Sequence, residues 1–168
     1  MARNVEIKAR VDDLDAIARK AAAFATQGPI EIVQDDTFFT CPSGRLKLRV
    51  FSPASGELIF YQRADARGPK ESFYLRSPTN APDTLREVLM LAYSASGRVR
   101  KHRTLYLAGR SRIHLDRVEG LGDFVEIEVV LADADDAEGG VREAHDLMTS
   151  LGIEASRLVA GAYVDLLG

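Results

Sequence analysis

The stretch Arg45-Leu46-Lys47-Leu48-Arg49-Val50 alternates cations with aliphatics, so a strand here puts Arg45, Lys47 and Arg49 on one face and Leu46, Leu48 and Val50 on the other. The same grammar recurs along the chain. Val5-Glu6-Ile7-Lys8 sets Glu6 beside Lys8, Val99-Arg100-Lys101-His102-Arg103 sets Lys101 beside Arg103, and Phe124-Val125-Glu126-Ile127-Glu128-Val129 sets Glu126 beside Glu128. Taken singly, each is an ordinary solvent face of a one-sided sheet. A solvated face usually intersperses signs, however, and adjacent like charges on it are mildly unfavourable. Same-sign pairs on several strands fit a polar interior that binds a polyanion and a hard divalent cation, with Lys and Arg on phosphate oxygens and carboxylates on the metal.

Outward from these strands, period-two segments cover 5–11, 33–39, 45–51, 57–63, 72–76, 99–107, 111–118 and 124–131. Turn residues separate several of them, as at Pro42-Ser43-Gly44, Pro53-Ala54-Ser55-Gly56, Arg67-Gly68-Pro69 and Glu119-Gly120-Leu121-Gly122. Eight closely spaced strands predict an antiparallel sheet closed into a barrel. Three helical stripes flank it. The first has Leu14, Ile17, Ala18, Ala21 and Phe24, ended by Gly28-Pro29; the second starts near Pro82-Asp83 and runs to Gly97; the third starts near Gly140 and ends at Gly152. The predicted fold is therefore α+β, a closed eight-stranded antiparallel β-barrel with flanking helices, in one domain over 1–168.

Composition narrows the function. The 168 residues carry 22 Lys and Arg against 25 Asp and Glu, a net charge of −3, with 46% hydrophobic and 28% charged residues. That balance argues against disorder and against a basic nucleic-acid coat. The run Arg98 to Arg103 splits between two strand faces, so no nucleic-acid partner is expected. One cysteine, Cys41, excludes an internal disulfide framework. No apolar run approaches a membrane span and no signal-peptide core opens the chain, so the expectation is a soluble, cytoplasmic protein without a membrane partner. Gly-rich phosphate loops and nucleophile triads are absent from the sequence, leaving side chains to hold any phosphate. His114 shares the face of Asp116 and is expected to bond within the sheet; His102 falls on the exterior and His145 on a solvated helix flank.

The succession VEIKARV, QDDTFFTCPSGRLKLRV, LIFYQRAD, RGPKESFY, VRKHRTLYL, IHLDRVEGLGDFVEIEVVL and GAYVDLL resembles the CYTH superfamily of triphosphate tunnel metalloenzymes, and within it the class IV adenylate cyclases. The resemblance spans residues 5–167. It implies a tunnel open at both ends and a reaction converting ATP to cyclic AMP and pyrophosphate. The alternatives are hydrolysis of an inorganic or organic triphosphate, such as tripolyphosphate or thiamine triphosphate, and non-catalytic binding of a triphosphate or polyphosphate. It implies triphosphate-binding roles for Lys8, Lys47, Arg49, Arg63, Lys70, Lys101 and Arg103. Metal-holding roles fall to Glu6, Asp116, Glu126 and Glu128, and catalytic ones to Glu6, Lys8 and Asp116. Mg²⁺ or Mn²⁺ is the implied cofactor, and a homodimer is plausible. Tyr163 matches a C-terminal Ser-Tyr feature whose Ser is Ala162 here. One departure stands out: Asn4 replaces the first Glu of the Glu-x-Glu-x-Lys motif, which predicts one tight metal and a weak or absent second. Counting the seven cations against the four acids gives the lumen an excess of positive charge, which predicts a loose, self-repelling interior until an anion arrives.

Overall fold

The computed structural model describes residues 2–168, and eight antiparallel strands close into a barrel in the order β1-β5-β4-β3-β2-β6-β7-β8. They are β1 (Ala2–Arg10), β2 (Gln27–Phe39), β3 (Arg45–Ser52), β4 (Ser55–Arg63), β5 (Lys70–Thr79), β6 (Ala95–Ala108), β7 (Ser111–Val118) and β8 (Gly122–Leu131). Four α-helices accompany them: α1 (Leu14–Phe24), α2 (Pro82–Tyr93), α3 (Ala137–Ser150) and α4 (Tyr163–Leu167). Closure between β1 and β8 leaves no free sheet edge.

The strand alternation sends apolar residues outward and charged ones inward. Val5, Ile7 and Ala9 of β1 leave the barrel wall on its outer side. Ile7 and Ala9 join Leu14, Ile17 and Ala21 of α1 and Met148 of α3, while Val5 packs with Ala144 of α3. On another side, Phe39 and Leu48 pack with Leu89 of α2. The main hydrophobic core is thus a jacket between barrel and helices, and the lumen is free to be polar. Residues such as Ile113, Val129 and Ala144 are fully buried in that jacket, where each aliphatic side chain contributes roughly 1.5–3 kcal/mol of transfer free energy.

Helix boundaries follow local chemistry. The Asp13 side chain accepts from the Ala16 amide at the start of α1, and the Asp136 side chain accepts from Gly139 at the start of α3. α3 therefore starts at Ala137, ahead of Gly140. α1 stops at Phe24, and Gly28-Pro29 already lies inside β2. α2 ends at Tyr93, with Ser94 in left-handed backbone (φ 64°) before β6 begins at Ala95 rather than near Gly97.

One barrel end differs from the implied open tunnel. Phe38, Val99, Phe124 and Tyr163 form an apolar cluster there, supported by Val164 and Leu166 of α4. Arg45 ties α4 down, its Nη1 donating to Asp165 Oδ1 at 3.0 Å. This end is stoppered by the C-terminal segment, because apolar side chains at the strand ends find partners on α4. The other end carries Phe51, Tyr74, Ile32 and Leu105 around the cavity.

Candidate functional site

The lumen is lined by Glu6, Lys8, Lys47, Arg49, Arg63, Lys101, Arg103, Glu126 and Glu128, all singled out from the sequence. Asn4, Gln34, Asp36 and His114 stand among them. Strand order sorts these groups. The contiguous strands β3, β2 and β6 carry Lys47, Arg49, Lys101 and Arg103, and the contiguous strands β7, β8 and β1 carry His114, Glu126, Glu128 and Glu6.

The cations are not left to repel one another. Asp36, 1% exposed, accepts from Lys47 Nζ at 3.1 Å and from Lys101 Nζ at 3.3 Å. Arg49 grips the same carboxylate with Nε and Nη2, both at 2.8 Å. The register explains the meeting, since Asp36 lies opposite Arg49 on β3 and its neighbour Gln34 lies opposite Lys101 on β6. Arg103 holds Asp116 with two bonds of 2.7 and 2.8 Å. Arg63 pairs with Glu6. Lys8 donates to the Gly161 carbonyl at 3.0 Å and sits 3.7 Å from Glu126. The expectation of a loose, self-repelling interior is therefore corrected: every one of these cations has an internal partner, and the charge count had left out Asp36.

Two predicted residues lie outside the lining. Lys70 is buried at the start of β5, but its Nζ donates to the Ala66 carbonyl in the β4–β5 loop at 2.8 Å. Asp116 is wholly buried and both its oxygens are taken, by Arg103 and by the Tyr163 hydroxyl at 2.7 Å. Its carboxylate does not join the acidic group on β8. Among the described residues, the set able to hold a metal is His114, Glu126 and Glu128, whose donor atoms all lie within 4.8 Å of one another. His114 Nδ1 donates to Glu126 Oε1 at 3.3 Å, so it bonds within the sheet and also faces the acids. His102 instead pairs with Glu31 on the exterior, and His145 is exposed.

Burial and charge set the protonation of these groups. Burial opposes ionisation of Asp36, but Arg49, Lys101 and Lys47 together outweigh it and hold its carboxyl well below the usual range. Burial likewise opposes the charge on Glu126, which is nevertheless pulled well below the ordinary value by the bond from His114 and by Lys8 and Arg103. Glu6 is pushed up by burial and by Glu126, against the pull of Arg63. Burial lowers Lys101 to about 7 and Lys47 to about 8, the second helped by Arg49. The Tyr163 phenol is raised well above its usual value by burial and by Asp116.

The sequence pattern that defines the CYTH domain matches residues 2–163 of this chain. The chain belongs to the CYTH domain family. Adenylate cyclase CyaB of Aeromonas hydrophila is 26% identical over 167 residues, covering 95% of this chain and 85% of that protein. The solved structure of the PH1012 protein from Pyrococcus horikoshii is 26% identical, with a TM-score of 0.86 over 98% of this chain and 99% of that one. The Hippeastrum protein HpAC1, described as having a dominant triphosphatase activity, shares the fold at 15% identity, with a TM-score of 0.66 over 91% of this chain and 89% of that one. The comparisons place the barrel within the CYTH domain family.

Sequence reasoning missed Asp36. Its signal was present, since Gln34, Asp36 and Phe38 alternate onto one face of the 33–39 strand, but the adjacent Asp35, which points outward to Arg98, makes both faces acidic there and hides which carboxylate is internal.

Proposed function

We propose that this CYTH protein is a divalent-metal-dependent adenylate cyclase of the class IV type, driving the ribose 3′-oxygen of ATP onto the α-phosphorus to give cyclic AMP and pyrophosphate. The observation that carries the reading is the sorting of the lumen, with a cationic arc on β3, β2 and β6 facing acids and an imidazole on β7, β8 and β1. Lys47, Arg49, Lys101 and Arg103 hold the phosphate oxygens, with Lys8 and Arg63 extending the clamp. The free Nε and Nη2 of Arg63 are buried without a partner among the described residues, and an anion satisfies them. Asp116 orients Arg103 instead of meeting the metal, because its oxygens are already engaged.

Glu126 and Glu128, flanked by Glu6, are the oxygen donors that fit Mg²⁺ or Mn²⁺. Bound there, such a cation would lower the pKa of the 3′-hydroxyl and stabilise charge on the phosphate. The side chains supply position and counter-charge, which dominate such transfers.

The apolar rim of Phe51, Tyr74, Ile32 and Leu105 favours a nucleotide over bare inorganic triphosphate, since a base can bury against it. Incubation with ATP, and separately with tripolyphosphate, in Mg²⁺ or Mn²⁺ tests this. Cyclic AMP and pyrophosphate from ATP are the expected products. Orthophosphate released with ADP from ATP, or with pyrophosphate from tripolyphosphate, and no cyclic AMP, assigns a triphosphatase instead, and tight binding without turnover assigns a triphosphate binder.

A further inference from the structure

We propose that Gln34 is a specificity residue for the sugar of the nucleotide, its side-chain amide taking the ribose 2′-hydroxyl and so separating ribonucleotides from 2′-deoxynucleotides. The inference rests on the nucleotide reading just given, and it adds a contact that no step of that reaction requires.

Gln34 is 4% exposed, lines the lumen, and its Oε1 has no hydrogen-bond partner among the described residues. Buried acceptors are rarely left so, and donor chemistry narrows what completes this one. Lys101, its register partner on β6, is turned to Asp36 at 3.3 Å. The oxygens of an ionised phosphate only accept, so they cannot satisfy a carbonyl oxygen. A hydroxyl can. Ionised inorganic triphosphate carries none, whereas a ribonucleotide brings a 2′- and a 3′-hydroxyl on its sugar.

Position along the strand agrees. Ile32, Gln34 and Asp36 share the inner face of β2, each roughly 6–7 Å from the next. Asp36 stands in the cationic arc with Arg49, and Ile32 stands in the apolar rim. The order of clamp, amide and rim is the order of phosphate, ribose and base. In the closed barrel β2 also lies four strands from β1 in either direction, so Gln34 looks across the lumen at the wall that carries Glu6 and Glu128. With the 3′-oxygen given to that acidic wall, the 2′-hydroxyl is the one left for Gln34.

Calorimetry in chelator, where metal-dependent turnover does not intervene, compares ATP, 2′-deoxyATP and tripolyphosphate on the unaltered protein and on Gln34→Leu. The unaltered protein should bind ATP about tenfold more tightly than 2′-deoxyATP, the worth of one hydrogen bond to a buried acceptor. Gln34→Leu should bring the two nucleotides to equal affinity and weaken ATP more than tripolyphosphate, a difference that a merely structural role would not produce. Should Gln34→Leu fail to fold, the ratio of ATP to 2′-deoxyATP affinity in the unaltered protein still decides. Equal affinity for the two nucleotides there, or a preference that survives Gln34→Leu, overturns the proposal. A protein that makes no cyclic AMP yet shows the preference loses the cyclase reading and keeps this contact. One that makes cyclic AMP while binding both nucleotides equally keeps the reading and loses the contact.

Discussion

Lys101 Nζ donates to Asp36 Oδ2 over 3.3 Å, and the side chains of both are almost wholly closed to water. The bond crosses the β2–β6 ladder and ties the basic pair of β6 to that of β3, because Lys47 and Arg49 use the same carboxylate. Asp36 is thus the internal counter-ion of the cationic arc. It aims the three side chains and sustains their charge.

Asp36→Asn tests that role. Removing one partner of a buried ionic cluster costs about 3–5 kcal/mol, so a large drop in denaturant midpoint is expected. The lysines also lose the attraction that opposes their desolvation, so their pKa values fall further. Turnover at pH 8 should fall more than at pH 6, where the lysines regain protons. A parallel loss at both values argues for misplacement alone.

The lysine pKa values carry a sign for binding. Lys101 near 7 and Lys47 near 8 are partly neutral at pH 8 before an anion arrives. A triphosphate favours their charged forms, so binding takes up protons and weakens as pH rises through this range. Calorimetry in buffers of different ionisation enthalpy should show net uptake at pH 8 and little at pH 6. For the ligand-free fold the sign is opposite in use: the unfolded lysines bind more protons between about 7 and their ordinary 10.5, so this contribution makes the fold more stable as pH rises there.

Alternation made the barrel legible, and the same-sign pairs showed which face was the lumen. Strand lengths were under-read. β2 starts as early as Gln27 and β6 as early as Ala95, where Gly28-Pro29 and the small residues Ala95-Ser96-Gly97 hide the period. α4 was invisible because five residues carry no helical stripe, yet it supplies Tyr163 and the stopper. Ionic partners were the least legible part. Whether Asp116 meets a metal or an arginine depends on side-chain direction across β6 and β7, and only the paired register of Arg103 with Asp116 settles it.

Tyr163→Phe removes the 2.7 Å bond to Asp116 and leaves the ring packed on Phe124. The loss should be about 1–2 kcal/mol of stability. Because Asp116 keeps Arg103, the fold survives; a several-fold fall in turnover with little change in KM is expected. Stability unchanged within error would show that the hydroxyl contributes nothing there.

Glu126→Gln should destabilise the metal-free protein, although it removes a negative charge beside Glu128. Glu126 is held ionised by His114, Lys8 and Arg103, and its depressed pKa means stability present above about pH 4.5 and lost as pH falls through the folded value. The amide leaves two buried cations short of a partner. Thermal melts at pH 7 should show the loss, and the gap from the unaltered protein should narrow in acid. A melting temperature above that of the unaltered protein would mean that repulsion from Glu128 dominates.

Asn4→Glu restores the carboxylate that the family motif carries and changes two things at once. In the metal-free lumen a new charge joins Glu6, Glu126 and Glu128, all within the β1–β8 ladder, and like charges across a ladder are destabilising. The melting temperature without metal should therefore fall. With metal the sign reverses, since an ionised oxygen attracts a divalent cation more strongly than an amide dipole does. Titration with Mn²⁺ in the presence of a non-hydrolysable ATP analogue should give one tight cation for the natural protein and a second for the variant. If that second cation limits the leaving pyrophosphate, cyclic AMP production rises in parallel. Two equally tight cations in the natural protein, or no gain in affinity on substitution, would show that Asn4 already serves as well as a carboxylate. The metal-induced rise in melting temperature separates these outcomes without reference to turnover, because only a tighter cation widens it.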